Sequence, residues 1–515
     1  MVSEDPIELN LFSSRVSAIC EEMGLVLKRA AFSPNIKDRL DYSCAIFDRN
    51  GEMFAQADHM PVHLGSMAYA MHQIVRGVEW KPGDCLVLND PYLGGTHLPD
   101  VTVISPVFLN EIQLVGFVVN RAHHANIGCD TPGSMPISSH LEEEGLVIPP
   151  TFLVRNGEVQ QSAARLLGIQ SVGLTGDFAA QIGANQIGET RLEKLVKIMG
   201  LYVYERRITQ LNDLAEGLAS IAVSRLKPGE YRFVDYLDDD GCGTENIKLS
   251  VHIHIASDSV VLDFSESACM VKGNLNCPEA VVAAASFYCF RCLMPSYTPA
   301  CHGLFRSIKI KTQEGSILSA KRPAAVAAGN VETSMRLVDL IFGALSKASS
   351  DLIPSAGQGT MNNLAMGLIS ESQNTRWDYY ETVAGGMGGG PNYPGLDGKH
   401  SHMTNTLNTP IESLEMHYPL RINRYEIRDH SGGVGQNRGG DGIVREYEFL
   451  DNARVTILSE RRSRGPWGLK GGRSGAPGKN LLNGNLLPGK CSFKVNHGDK
   501  LSIKTPGGGG WGGKQ

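Results

Sequence analysis

Asn89–Phe108 reads NDPYLGGTHLPDVTVISPVF. Asp90, His97 and Asp100 are side chains able to hold a divalent ion, and Gly94-Gly95 allows the chain to bend sharply ahead of an apolar run. His97 and Asp100 stand three residues apart, so an imidazole and a carboxylate can converge on one ion if the loop turns. A second segment, AHHAN (Ala122–Asn126), closes another apolar run and offers His123 or His124. Asp41, in LDY, can complete the set. Two imidazoles and two carboxylates suit a borderline-to-hard divalent ion such as Zn²⁺ or Mn²⁺. With an open position, such an ion acidifies bound water and polarises a carbonyl. His-x-x-Asp alone is a weak signal, more often a cap or turn pair. The double histidine shifts the balance toward metal, because two adjacent imidazoles fill a core poorly. Asp90, at a strand end, is expected to back a ligand imidazole or to cap the turn.

These residues need a rigid base, and the hydropathy pattern supplies one. Asp84–Asp90 predicts a buried strand, and VTVISPVF with IQLVGFVVN predicts a hairpin across Leu109-Asn110-Glu111. Asp41–Gln56 predicts a second hairpin turning at Arg49-Asn50-Gly51. Both candidate ligand segments thus lie at strand ends. Helices are predicted over 12–32, with Val16, Ile19, Met23, Val26 and Ala30 on one face, and over 66–75. The middle is helical over 162–181 and 189–223, then strands alternate from Gly229, and buried helices follow at 280–293 and 335–350. The last part, from about Arg421, is β-rich and turns on glycine. The fold class is mixed α+β, with a helical middle, several β-hairpins and a β-rich, Gly-rich C-terminal part. Its parts are expected at 1–228, carrying the metal site, 229–395 and 396–515, within one continuous body.

Composition bounds the function. A chain of 515 residues buries a large core, and a net charge of −6 is too small for a nucleic-acid footprint. Eleven scattered cysteines fit reduced thiols in the cytoplasm. The start, MVSEDPIELN, lacks a secretory pattern, and no apolar run reaches membrane-spanning length. The 58 glycines gather at 384–395, 430–442, 468–478 and 505–515, which read as surface loops or as places of close approach. CFRC (Cys289–Cys292) lacks a second pair and reads as two buried thiols; HIH (His252–His254) reads as a solvated sheet face. His400, His402 and Asn405 follow a glycine cluster and can line a substrate pocket. No phosphate-binding loop and no dinucleotide fingerprint is present, so ATP is not expected to bind this chain.

NDPYLGGTHLPDVTVISPVF, RAHHANIG, EEGLVIPP, HMTNTLNTPIESLEMHYPLRI, GGVGQNRGGDGIVREYEF and the terminal TPGGGGWG resemble the hydantoinase B/oxoprolinase family. The resemblance runs from about Ile7 to the C-terminus. It implies the B-type subunit of an ATP-dependent amidohydrolase acting on cyclic amides: hydantoins, 5-oxoproline or lactams. It implies metal ligands at Asp41, His97, Asp100 and His123, with His124 as the alternative to its neighbour. It also implies a partner, an A-type ATPase of ASKHA fold that binds ATP and phosphorylates the substrate oxygen, in an A2B2 heterotetramer. Activation by phosphate leaves water attack as the remaining step, for which Glu143 or Glu144 is a candidate general base. Two alternatives stand beside hydrolysis: a subunit of an acetone- or acetophenone-type ketone carboxylase, and a non-catalytic assembly subunit. The chain length, nearer the hydantoinase size, favours the hydrolase.

Overall fold

The computed structural model describes residues 5–57, 59–168, 176–370 and 375–513. Helices and several sheets give the mixed α+β class. The chain divides into two compact units whose segments alternate along the sequence. The first comprises Met1–His124, Val147–Val223 and Phe290–Ile308; the second comprises Ala125–Leu146, Ser224–Cys289 and Lys309–Gln515. The chain leaves the first unit and re-enters it, a passage that no local composition change marks.

The first unit is built on a seven-stranded sheet in the order β2-β1-β5-β4-β3-β6-β7. Its strands are β1 (Tyr42–Asp48), β2 (Met53–Gln56), β3 (Cys85–Leu88), β4 (Asp100–Leu109), β5 (Gln113–His123), β6 (Thr151–Arg155) and β7 (Glu158–Val159). Every pairing is antiparallel. Side chains alternate between faces along a strand. One face presents Ala45, Phe47, Leu86, Leu88, Ile104, Phe117 and Val119 to Leu64, Met67, Met71 and Val75 of the helix Pro61–Arg76. The other face meets the helices Pro6–Ala30 and Gly176–Met199. The first of these starts earlier than predicted because Asp5 accepts the Ile7 amide at 2.9 Å and Pro6 follows it. Its buried face runs Phe12, Val16, Ile19, Met23, Leu27, so the predicted Val26 and Ala30 lie off it. Residues 169–175 of the predicted helix 162–181 lie outside the described residues.

The described residues of the second unit form three sheets, of four, four and five strands. The four glycine clusters bond to one another. Gly389 N–H donates to Gly509 O at 2.9 Å, Gly433 N–H to Gly508 O at 2.8 Å, Gly508 N–H to Gly440 O at 2.9 Å and Gly510 N–H to Arg473 O at 2.9 Å. The clusters form a slab of backbone packed on backbone, in which a side chain would occupy the neighbouring chain's place. No described helix is long and apolar enough to cross a membrane.

Candidate metal centre

Strand register sets the first three groups side by side. Asp100 pairs with His123 across β4 and β5, and His123 N–H donates to Asp41 O at 3.0 Å at the head of β1. Asp41, His123 and Asp100 thus form one row across three strands, on the face that the helix Pro61–Arg76 covers. The next row inward is Ser43, Arg121 and Thr102. The loop before β4 brings His97 to the row. Gly94 has φ +109°, and Gly95 lies so close to the start of the loop that an added Cβ would be 2.3 Å from Asn89 O. Gly95 N–H donates to Asp90 O at 2.8 Å and Asn89 Nδ2 to Leu98 O at 2.8 Å, which closes the loop on itself. Arg121 ties it down: its guanidinium donates to Thr102 Oγ1 at 2.7 Å, Ser66 Oγ at 2.6 Å and Gly94 O at 3.0 Å. Burial pushes the Arg121 pKa down to about 10, which leaves it charged at neutral pH.

Asp100 Oδ1 is the focus. His63 Nε2 and His97 Nε2 each lie 3.2 Å from it, and His123 Nδ1 lies 3.6 Å away. Asp41 stands beside them, 3.9 Å from both His63 Nε2 and His123 Nδ1, with Arg39 Nη2 also at 3.9 Å. All five of Asp41, His63, His97, Asp100 and His123 are at most 5 % exposed. Burial by itself would raise the Asp100 pKa, but His63 and His97 beside it, with hydrogen bonds from His123 and His63, hold the carboxyl well below its usual range. Burial lowers the His123 pKa against the pull of Asp100 and Asp41, so at neutral pH its imidazole is unprotonated and able to ligate. The ligand atoms of His97, Asp100 and His123 all lie within 4.8 Å of one another. Three buried imidazoles surround one carboxylate oxygen, and the ligand atoms of His97, Asp100 and His123 are close enough together to share one divalent cation. The residues fit a borderline ion such as Zn²⁺ or Mn²⁺.

The pair His123-His124 is separated by strand alternation. His124 turns to the opposite face, where its Nε2 meets Gln181 Oε1 at 2.9 Å and its ring packs on Phe178. Asp90 accepts the Tyr92 amide at 3.0 Å, as a turn cap does. The hydroxyl that steadies Asp100 comes from Thr96, whose Oγ1 donates to Oδ2 at 2.7 Å. His63 escaped the sequence reading. The available signal was a histidine at the start of a helix, four residues before Met67 and so on the apolar face that meets the sheet.

Glu143, Glu144, His400, His402 and Asn405 belong to the second unit. Glu144 Oε1 accepts from Ser138 Oγ and from the Val326 and Ala327 amides, so it braces a turn. Glu143 is exposed and accepts from Ser139. His402, at φ +60°, lies between Tyr288 and Phe342; Asn405 is exposed. Cys289 is buried but Cys292 is exposed, which corrects the reading of two buried thiols. His252 and His254 both reach the carboxylate of Glu230 on a sheet face.

Protons compete with a metal for imidazole nitrogen. Since the His123 pKa is lowered from its ordinary value of 6.5, the nitrogen is available at pH 7 and is lost only as pH falls below that range. Metal retained after dialysis should therefore be constant near neutrality and decline in acid. Elemental analysis across a pH series checks this; loss of metal that already sets in above pH 7 would contradict an imidazole nitrogen free of its proton there.

The chain matches the hydantoinase B/oxoprolinase family over residues 5–514. It is 39% identical to an uncharacterized protein of Methanocaldococcus jannaschii, over 99% of this chain and 91% of that one. It is 40% identical to 5-oxoprolinase of Dictyostelium discoideum, over 99% of this chain but only 40% of that protein's length. Its fold superposes on the crystal structure of ATP-dependent caprolactamase from Pseudomonas jessenii with a TM-score of 0.89 at 25% identity, covering 99% of this chain and 92% of that one.

Proposed function

Because this chain belongs to the hydantoinase B/oxoprolinase family, we propose that it is the metal-dependent subunit of an ATP-dependent hydrolase of cyclic amides. The observation that carries the reading is the buried convergence of His63, His97 and His123 on Asp100. Asp41, His97, Asp100 and His123 would hold the ion. Bound there, a divalent ion supplies Lewis-acid chemistry, acidifying water and polarising a carbonyl. The chain's own part is to keep Asp100 ionised, keep His123 neutral and fix the loop through Arg121 and Thr96, so that the ligands are set before substrate arrives.

A ring amide is a poor electrophile, and phosphorylating its oxygen creates a leaving group. We assign that step to a separate A-type ATPase subunit of ASKHA fold, in an A2B2 complex that binds ATP outside this chain. Two findings support a partner: the similar caprolactamase is ATP-dependent, and this chain spans 40% of the Dictyostelium 5-oxoprolinase. The remainder of that longer protein is what a partner would supply.

The test is to purify the chain with its co-expressed partner, load Zn²⁺ or Mn²⁺, and offer ATP with 5-oxoproline, hydantoin or caprolactam, and separately with a ketone and bicarbonate. Ring opening coupled to ADP release, requiring both chains and the metal, is expected. A metal-replete pair that opens no ring, or that instead fixes bicarbonate onto a ketone, overturns the reading.

A further inference from the structure

His63 reaches the shared oxygen of Asp100 with one nitrogen and Ser43 with the other. Ser43 is fully buried; its Oγ accepts the Met60 amide at 3.1 Å and lies 3.3 Å from His63 Nδ1. A buried hydroxyl places its hydrogen on an acceptor, and His63 Nδ1 is the ring acceptor that faces it. A neutral imidazole that accepts at Nδ1 carries its hydrogen at Nε2, and His63 Nε2 is 3.2 Å from Asp100 Oδ1. A nitrogen bearing hydrogen cannot ligate a metal.

We propose that His63 is a positioning residue of the metal centre: its Nε2–H donates to Asp100 Oδ1 and fixes the angle at which that carboxylate meets the ion. With Thr96 donating to Oδ2 at 2.7 Å, both oxygens of Asp100 are then oriented by hydrogen-bond donors. Met60 N–H, Ser43 O–H and His63 Nε2–H form one chain of donors that ends on Asp100. Such partners outside the ligand set orient the ligands and strengthen binding. The inference rests on the metal-centre reading.

The test uses cobalt(II) added to the full-length, metal-stripped protein, with affinity read by chelator competition and coordination read from the visible spectrum. His63→Ala should weaken cobalt binding about 10–100-fold, as loss of an orienting partner does, while the saturated spectrum keeps the wild-type band positions. His63→Gln, which still presents an N–H toward Asp100, should recover most of the affinity. Shifted bands in both variants, with Gln no better than Ala, would make His63 a ligand and overturn the proposal. Unchanged affinity in His63→Ala would overturn it too. Should His63→Ala fail to fold, Ser43→Ala releases the tautomer without touching the imidazole, and it must weaken binding by itself; wild-type affinity there contradicts the proposal. Wild-type protein that binds no cobalt refutes the metal centre itself, a failure distinct from the others.

Discussion

Asp100→Ala is expected to abolish metal retention and ring opening together while the fold persists. Asp100 Oδ1 lies within 3.6 Å of a ring nitrogen of each of His63, His97 and His123, so its loss removes the group around which the imidazoles are arranged. The effect should exceed the roughly 100-fold that marks the upper end for partners outside the ligand set. Elemental analysis should fall from one ion per chain to near none, and activity should fall to background. The fold should survive because the apolar core of the first unit, from Phe47 and Phe117 to Met67 and Met71, lies inward of the ligand row. Far-UV circular dichroism checks that part. Asp100→Asn serves as the near-isosteric partner: a neutral amide oxygen is a weaker ligand and should lose the metal as well.

Gly508→Ala should prevent the second unit from folding. A Cβ there would lie 1.9 Å from Met387 O and 2.3 Å from Met387 C, both backbone atoms that cannot rotate away. Nor can Gly508 withdraw, because its N–H donates to Gly440 O at 2.9 Å and its own carbonyl accepts from Gly433 at 2.8 Å. Losses above about 4–5 kcal/mol are exceptional among single substitutions, and this one combines overpacking with broken buried hydrogen bonds. Insoluble expression, or loss of the cooperative thermal transition, is the expected observation. Gly217→Ala makes the contrast: it lies in the helix Leu201–Ser224 with nothing within 4 Å of the added Cβ. Alanine is favoured over glycine in a helix by about 1 kcal/mol, so that variant should be neutral or more stable. Equal behaviour of the two would contradict the packing described here.

Alternation along the strands was readable, and it placed Asp84–Asp90, Val101–Phe108 and Ile112–Asn120 close to where β3, β4 and β5 lie. It could not reveal that Asp41, His123 and Asp100 fall in one row, because register depends on which strands pair and on where each begins. The same register decides between His123 and His124: successive residues face opposite ways, and only His123 shares the face of Asp100. His63 was missed because its role needs a helix from elsewhere in the chain to lie across that face. The glycine clusters were visible as composition, but their use was not. Close approach of 384–395 to 430–442 and 505–512 is a property of distant segments, and each cluster alone looks like a turn. The two-unit organisation was hidden for a similar reason, since residues 125–146 and 290–308 switch units without a change in local pattern.

We propose that one divalent ion is held by Asp41, His97, Asp100 and His123. Anomalous X-ray scattering from a crystal of the purified protein, recorded on either side of the zinc or manganese absorption edge, tests it most directly. One strong peak bounded by those four side chains, with His63 beside Asp100 but outside bonding distance of the ion, is the predicted result. An active protein whose peak lies anywhere else, or that gives no peak at either edge, would contradict it.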